Sequence, residues 1–206
     1  MILLTSCRCP TQHSTHVAGT ACGVHYGVAT CTLCSVRVLD GDGSGSWSDV
    51  LRGLDRAVDN CQGRKCVANL SLGGGQSHTV DKAIRDAVRA GVVMVVAAGN
   101  KSEDACDTSP SSEPLAIAVG STTDEDRPSS FSNYGACVDV YAPGSDILSA
   151  RAGGSGGTEM SGTSMASPRE FAVGVAVCPR SASFLCFSPI AARHRRRRRH
   201  RRGPPP

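Results

Sequence analysis

Length, composition and charge place this chain among soluble, single-domain proteins. Its 206 residues are 40% hydrophobic and 19% charged, which is ordinary for a globular domain with its own core. The longest strongly apolar run, Val92–Ala98, is too short to cross a bilayer. Residues 193–202 contain eight Arg, and subtracting them from the net charge of +4 leaves −4. The net charge therefore does not indicate a nucleic-acid surface on the rest of the chain.

In chain order, the hydrophobic pattern predicts alternating strands and helices. The strands are short apolar runs, and the two helices carry apolar residues at helical spacing, with Gly91 ending the second. The predicted strands are Ser35–Leu39, Val67–Leu72, Val92–Ala97, Leu115–Val119 and Val138–Tyr141, and the helices are centred on Trp47–Val58 and Val80–Val88. This alternation predicts an α/β fold, a parallel β-sheet flanked by helices, with the site at the carboxyl ends of the strands.

The two ends of the chain do not follow this pattern. Residues 1–12 carry two Cys and a Pro without periodicity, and their apolar start lacks the length of a secretory signal. Residues 169–206 do not match the pattern either, and we expect them to be a disordered Arg/Pro-rich tail. An Arg run attracts phosphate, but no aromatic residue interleaves this one, so a solvated tail is favoured over a nucleic-acid binder.

The cysteines indicate an oxidising compartment. Eleven Cys is a high count for a cytosolic protein, and the odd number leaves at least one thiol outside a disulfide. Cys61 and Cys66 flank a short polar turn that a disulfide can close. Cys31 and Cys34 have CxxC spacing, but they precede a strand instead of opening a helix, so we interpret them as structural.

Ser164 is the candidate nucleophile. It lies in Gly162-Thr163-Ser164-Met165-Ala166-Ser167-Pro168, where small neighbours allow a peptide to approach closely. A Ser hydroxyl needs a neighbouring base, and at the start of a helix its backbone N–H points outward. The alternative role for this residue is a helix N-cap.

His13 is the candidate general base for Ser164. It begins the segment His13-Ser14-Thr15-His16-Val17-Ala18-Gly19-Thr20. His16 lies three residues on, so the two His could instead hold a metal. No Glu stands between them as in H-E-x-x-H, and no third ligand is evident, so we predict no metal here.

Asn100 completes a set of three site candidates. It ends the run Val96-Ala97-Ala98-Gly99-Asn100 and could alternatively close a turn. His13, Asn100 and Ser164, in this order and with these flanks, resemble the subtilisin-like (subtilase) serine peptidases, most closely the proteinase K-like branch. Further segments carry the same likeness, which runs from His13 to Pro168: Tyr26–Ala29, Val36–Asp40, Gly43–Ser48, Asn69–Gly74, Ser130–Gly135 and Val138–Gly144.

The resemblance implies a subtilisin-like three-layer fold, incomplete at both ends, with a partial peptidase domain at residues 13–168. It implies a serine-type endopeptidase of broad preference, with Ser164 as nucleophile, His13 as base and Asn100 as oxyanion donor. Such an enzyme acts on polypeptides, needs no cofactor for its chemistry and is extracellular or in the secretory pathway. We expect a monomer with neither a membrane nor a specific nucleic acid as partner.

Further features follow from the resemblance alone. The substrate should bind as an added β-strand between Ser71-Leu72-Gly73 and Gly43–Trp47, and Ala97-Ala98-Gly99 should leave room for a substrate side chain. Trp47 either lines an outer pocket or packs in the core. The implied disulfide joins Cys106 and Cys137, and the implied structural calcium is held by the carbonyls of Pro114 and Ala116 and by Asp139, which could equally be in an ion pair.

Two departures from the family pattern bear on activity. Ser14 stands where the family usually has Gly after the catalytic His. No Asp or Glu precedes Asp40, so the acid that orients the base is missing, together with its strand. We expect the missing strand to leave a sheet edge exposed. The alternative function is therefore a catalytically silent subtilase-like fragment that at most binds peptides.

Overall fold

The computed structural model describes residues 11–61, 66–177 and 183–189. Within them lie four α-helices: α1 Gln12–Cys22, α2 Trp47–Cys61, α3 His78–Arg89 and α4 Thr163–Val177. The strands are β1 Leu33–Leu39, β2 Cys66–Leu70, β3 Gly74–Gly75, β4 Val92–Ala97, β5 Thr108–Ser109, β6 Ile117–Thr122, β7 Val140–Pro143, β8 Ile147–Ala150, β9 Gly157–Met160 and β10 Ser183–Pro189. None of the described helices combines the length and apolar character needed to span a bilayer.

The main sheet has six parallel strands in the order β1, β10, β2, β4, β6, β7. Every residue of β2 is buried, as is all of β4 except Val93, which suits strands covered on both faces. On one face, α2 and α3 pack through residues such as Leu54 and Ile84. On the other, α1 and α4 pack through Ala21 and Ala166. The predicted α/β class is confirmed.

The predicted strands agree with the structure to within two or three residues at their ends. The largest shift is the segment predicted as Leu115–Val119, which is a strand only from Ile117. Glu113 explains the delay, because its buried carboxylate accepts a bond from Leu115 N–H at 3.2 Å and pairs with Arg85 at 2.8 Å. This local structure holds the chain in a turn before the strand begins.

The structure differs from the expected tail at residues 183–189. These seven residues form β10, an interior strand with parallel partners on both sides, and α4 continues to Val177 past the end of the family likeness. Unpaired backbone groups of β1 and β2 would be costly inside the sheet, and β10 satisfies them. The sheet edge that we expected the missing strand to leave exposed is therefore paired, because β10 lies between β1 and β2. Residues 1–10, 178–182 and 190–206, with the Arg run, lie outside the described residues.

Three disulfides join described residues. Cys61 pairs with Cys66, and Cys106 with Cys137, as predicted. Cys31 pairs with Cys22, with the Cα atoms 5.5 Å apart, and this confirms that Cys31 does not form a CxxC disulfide with Cys34.

Candidate active site

Ser164 lies one residue inside α4, in its first turn. It is therefore not the N-cap of this helix. The first N–H groups of a helix have no acceptor within it, so the Ser164 N–H remains available to a ligand. The Ser164 hydroxyl is half-buried and donates a long hydrogen bond of 3.5 Å to the carbonyl of Ser71.

Ser71 ties the carboxyl end of β2 to the first turn of α4. Its hydroxyl donates to the Ser164 carbonyl at 2.9 Å and accepts from the Asn69 side-chain amide at 2.9 Å. Because its single hydrogen is used in this way, the Ser167 hydroxyl, also at 2.9 Å, must be the donor in their contact. Ser71 is buried, so its side chain supports the site from within and does not face a substrate.

Asn100 is oriented by hydrogen bonds to its side-chain oxygen, and its side-chain nitrogen takes no part in them. Its side-chain oxygen accepts from the Thr163 N–H at 2.8 Å and from the Thr163 hydroxyl at 2.9 Å. These bonds span 63 residues, so this side chain does not merely close a local turn. The fixed oxygen leaves Nδ2 as a donor beside Ser164, in the same cavity.

That cavity has a volume of about 230 Å³ and is lined by Ala97–Asn100, Leu72–Gly74 and Ser164, among others. Gly99 has φ of +111°, and a Cβ there would collide with the side-chain amide of Asn133. The cavity wall is therefore built around a residue without a side chain. Of the predicted substrate-binding residues, this cavity is lined by Leu72, Gly73, Ala97, Ala98 and Gly99, whereas Ser71 lines the adjoining one.

Asn133 and Thr163 support this wall, although neither is among the residues predicted for the site. The buried Asn133 side chain accepts from Lys101 N–H at 2.9 Å and Glu103 N–H at 3.3 Å. The Thr163 hydroxyl accepts from Gly99 N–H at 3.2 Å. Both residues lie inside segments that resemble the family. Their sequence context alone does not show whether a residue there supports the site or takes part in catalysis.

His13 lies on α1 and lines an adjoining cavity of about 760 Å³. Leu72, Gly73 and Gly74 border both cavities. Burial, and then the charge of His16, lower the pKa of His13. Among the described residues, no hydrogen bond joins its imidazole to Ser164, and no carboxylate bonds to it. The structure thus groups Ser164 with Asn100 around one cavity and places His13 in the adjoining one, where no described residue orients its imidazole.

The first acidic residue, Asp40, does not serve as that partner. Its carboxylate is exposed and accepts from the N–H groups of Asp42 and Ser44 at 3.0 and 2.9 Å. It therefore shapes the loop after β1. This loop continues to Trp47 and lines the His13 cavity opposite Ser71–Gly74.

Trp47 combines both roles considered for it. It lines the His13 cavity, packs against Gly74, and also contacts the hydrophobic core. Ser14, the departure from the family pattern, is buried and shares a 2.6 Å hydrogen bond with the Thr11 hydroxyl. Its side chain is thus part of the helix N-terminus.

His16 has a structural role. Its buried Nε2–H donates to the carbonyls of Ile147 at 2.7 Å and Thr158 at 3.2 Å, which ties α1 to the β8–β9 hairpin. Burial lowers its pKa, and these two carbonyls partly oppose that shift. The nitrogen is used by backbone, and no cluster of three or more His, Cys, Asp or Glu suited to a metal occurs among the described residues.

The residues implied for calcium fit it only in part. One oxygen of the exposed Asp139 carboxylate accepts from Ala118 N–H at 2.8 Å. The other carboxylate oxygen and backbone carbonyls such as those of Pro114 and Ala116 are of the hard oxygen type that Ca²⁺ prefers.

Comparison with known proteins decides the family. The model of the Subtilase family (Peptidase S8) matches residues 9–180. The chain belongs to the subtilase family. It is 47% identical over 179 residues to Subtilisin-like protease 4 of Trichophyton equinum, covering 82% of this chain and 45% of that protein. It is 54% identical over 157 residues to Alkaline serine exoprotease A of Vibrio alginolyticus, covering 76% of this chain and 29% of that protein.

A solved structure confirms the subtilisin-like fold. The crystal structure of a cold adapted subtilisin-like serine proteinase matches with a TM-score of 0.77 and 50% identity, over 80% of this chain and 60% of that one. The predicted family and fold are both confirmed. This subtilase chain spans less than half the length of the two curated relatives.

Proposed function

We propose that this subtilase chain is a serine-type endopeptidase domain that hydrolyses peptide bonds with broad substrate preference. The observation that carries the proposal is the joint placement of the Ser164 hydroxyl, its helix-start N–H and the oriented Asn100 amide around one cavity. Membership of the subtilase family supports the same reaction.

In the proposed reaction, the Ser164 oxygen attacks the substrate carbonyl while His13 accepts the hydroxyl proton. The Ser164 N–H and Asn100 Nδ2 stabilise the oxyanion. The imidazolium then protonates the leaving amine, which leaves an ester between the substrate acyl group and Ser164. Water attacks this ester while His13 accepts its proton, and the proton returns to the Ser164 oxygen as the acid product is released. The extended segment Ser71–Gly73 binds the substrate through its backbone, which gives little sequence preference.

The competing function is a silent fragment that binds peptides without cleaving them. Two features favour it: no described residue hydrogen-bonds to the His13 imidazole, and the Ser164 hydroxyl donates to the Ser71 carbonyl. In subtilisin, a member of the same family, loss of the orienting Asp lowers kcat by about 3 × 10⁴. The proposal is therefore a slow peptidase, and its test must detect rare turnovers.

The test is digestion of an unfolded protein substrate, followed by mass spectrometry of the peptides over days. We expect cleavage by the wild-type chain and by Ser48→Ala, which removes an exposed serine of α2, and none by Ser164→Ala. Equal peptide release by Ser164→Ala would assign the cleavage to a contaminant. Substrate binding without cleavage by the folded wild type would favour the silent fragment.

Three further properties are proposed with the function. The disulfides support an extracellular or secretory location. The reaction uses protein groups alone, so a calcium ion at Pro114, Ala116 and Asp139 would be structural. Its test is a rise in melting temperature on adding Ca²⁺ that Asp139→Asn abolishes. We expect a monomer, which sedimentation can check.

A further inference from the structure

The smaller cavity of the site combines apolar walls with two charged residues. Its volume of about 230 Å³ is below the roughly 300–1,000 Å³ of pockets that bind whole ligands, so it suits a single substrate side chain. Leu72, Ala97 and Ala98 form apolar parts of its wall. Among the described residues that line it, Lys101 and Glu103 are the charged ones. The kind of side chain that fits here therefore depends on which of these two charges it meets.

The hydroxyl groups that line the same cavity add no charge and are engaged within the protein. The hydroxyls of Thr108 and Ser111 share a hydrogen bond of 2.7 Å, and Ser111 also donates to the Ala105 carbonyl at 2.9 Å. The Ser109 hydroxyl accepts from the Ser77 N–H at 2.8 Å. Because these groups already have partners, charge selection falls to the two charged residues.

The backbone that carries the two charges is held in place by the neighbouring loop. The buried Asn133 side-chain oxygen accepts from the N–H groups of both charged residues. The Glu103 carbonyl accepts from the Tyr134 N–H at 3.1 Å, and the N–H of Ser102, which lies between the two charges, donates to the Phe131 carbonyl at 3.0 Å. A charge on a backbone fixed in this way needs little rearrangement when a ligand binds.

Glu103 is the better placed of the two charges. Its carboxylate lies 3.7 Å from the Lys101 ammonium, and the side chains are 39% and 72% exposed, in that order. A separation of this size is too long for a hydrogen bond, and solvent screens the more exposed charge more strongly. Asp104 and Asp107 follow in the same loop, so residues 101–107 hold three acidic side chains and one basic one. The loop that borders the cavity is therefore acidic.

We propose that Glu103 makes this cavity selective for a positively charged side chain, lysine or arginine, at the substrate residue whose carbonyl Ser164 attacks. The proposal rests on the proposed function in placing a substrate side chain here. The aliphatic stem of such a side chain packs against the apolar walls while its charged end stays near solvent, where it displaces Lys101 from Glu103. Strand addition along Ser71–Gly73 gives affinity with little dependence on sequence, so the residue in this cavity sets the remaining preference.

The test measures peptide binding, which needs no chemistry at Ser164. The probes are two acetylated alanine-rich peptide acids, one ending in lysine and the other in norleucine, which has a similar stem without the amine. NMR follows the Gly99 amide of the full-length chain, and we expect the lysine peptide to bind about fivefold more tightly, the upper end for an exposed ion pair. Glu103→Gln should abolish this preference. Glu125→Gln should keep it, because Glu125 pairs with Arg127 and does not line the cavity.

A second variant tests the competition between the two charges. Lys101→Gln should increase the preference for the lysine peptide, because the cation that competes for Glu103 is removed. Misfolding would not move the two variants in opposite directions. Equal binding of the two peptides, a preference that survives Glu103→Gln, or a Gly99 amide that neither peptide shifts would overturn the proposal.

The digestion assay separates this proposal from the proposed function. Cleavage sites of the wild-type chain should be enriched in lysine and arginine on the acyl side, and Glu103→Gln should remove the enrichment. Cleavage without that enrichment would overturn the selectivity alone. A preference for the lysine peptide in a chain that never cleaves would support the selectivity and overturn the proposed function.

Discussion

Replacing Thr163 by Val should loosen the proposed oxyanion site, because the buried Thr163 hydroxyl bonds to both Asn100 and Gly99. The hydroxyl donates to the Asn100 side-chain oxygen at 2.9 Å and accepts from the Gly99 N–H at 3.2 Å. Valine has nearly the same shape but makes neither bond. At about 1 kcal/mol for each hydrogen bond, the free energy of unfolding should fall by roughly 2 kcal/mol, or about 30-fold in the folding equilibrium.

Thermal and denaturant unfolding measure this loss. For a domain of this size, 2 kcal/mol corresponds to a fall in Tm of about 4–8 °C. Thr163→Ser is the matched control, because it keeps the hydroxyl, and it should lose much less. If Thr163→Val were as stable as Thr163→Ser, the two hydrogen bonds would not hold the walls, and the derived orientation of Asn100 would be wrong.

Three further predictions concern activity, acid stability and the disulfides. Asn100→Ala should lower kcat for peptide hydrolysis by about 10²–10³, the range measured for such a donor in subtilisin, while Asn60→Ala, at an exposed position of α2, should not. Because burial lowers the pKa of His16 below its ordinary 6.5, the unfolded chain binds a proton more readily, so stability should fall as the pH drops below about 6.5. His16→Gln should flatten this pH dependence of unfolding; equal slopes in His16→Gln and the wild type would refute the role of His16. Replacing both Cys106 and Cys137, which are 31 residues apart, by Ser should lower the free energy of unfolding by about 4 kcal/mol. The same replacement of Cys61 and Cys66 should lower it by about 2 kcal/mol, because the loop that they close is shorter. A larger loss for Cys61 and Cys66 in denaturant unfolding would contradict the loop-closure argument.

Periodicity and turn residues were enough to predict the α/β class, because buried parallel strands such as Val92–Ala97 are continuous apolar runs. Ser164 and Asn100 could be singled out from the sequence because the few residues on either side of each are enough to mark it as a site candidate. Strand ends were harder, because Ile117 begins its strand only after a turn fixed by the distant pair of Arg85 and Glu113.

The supporting residues and β10 could not be read from local sequence. Asn133 acts through backbone groups some 30 residues away, and Thr163 through partners more than 60 residues away. The strand Ser183–Pro189 gains its place only because β1 and β2 leave a gap between them in the folded sheet. These effects depend on which segments meet in space.

Covalent labelling with a fluorophosphonate tests the central claim most directly, because the probe reacts only with an activated serine. Intact mass and peptide mapping of the labelled chain should place one adduct on Ser164, with labelling lost in Ser164→Ala and reduced in His13→Ala. A folded chain that stays unlabelled, or one labelled equally in Ser164→Ala, would contradict the assignment of Ser164 as the nucleophile.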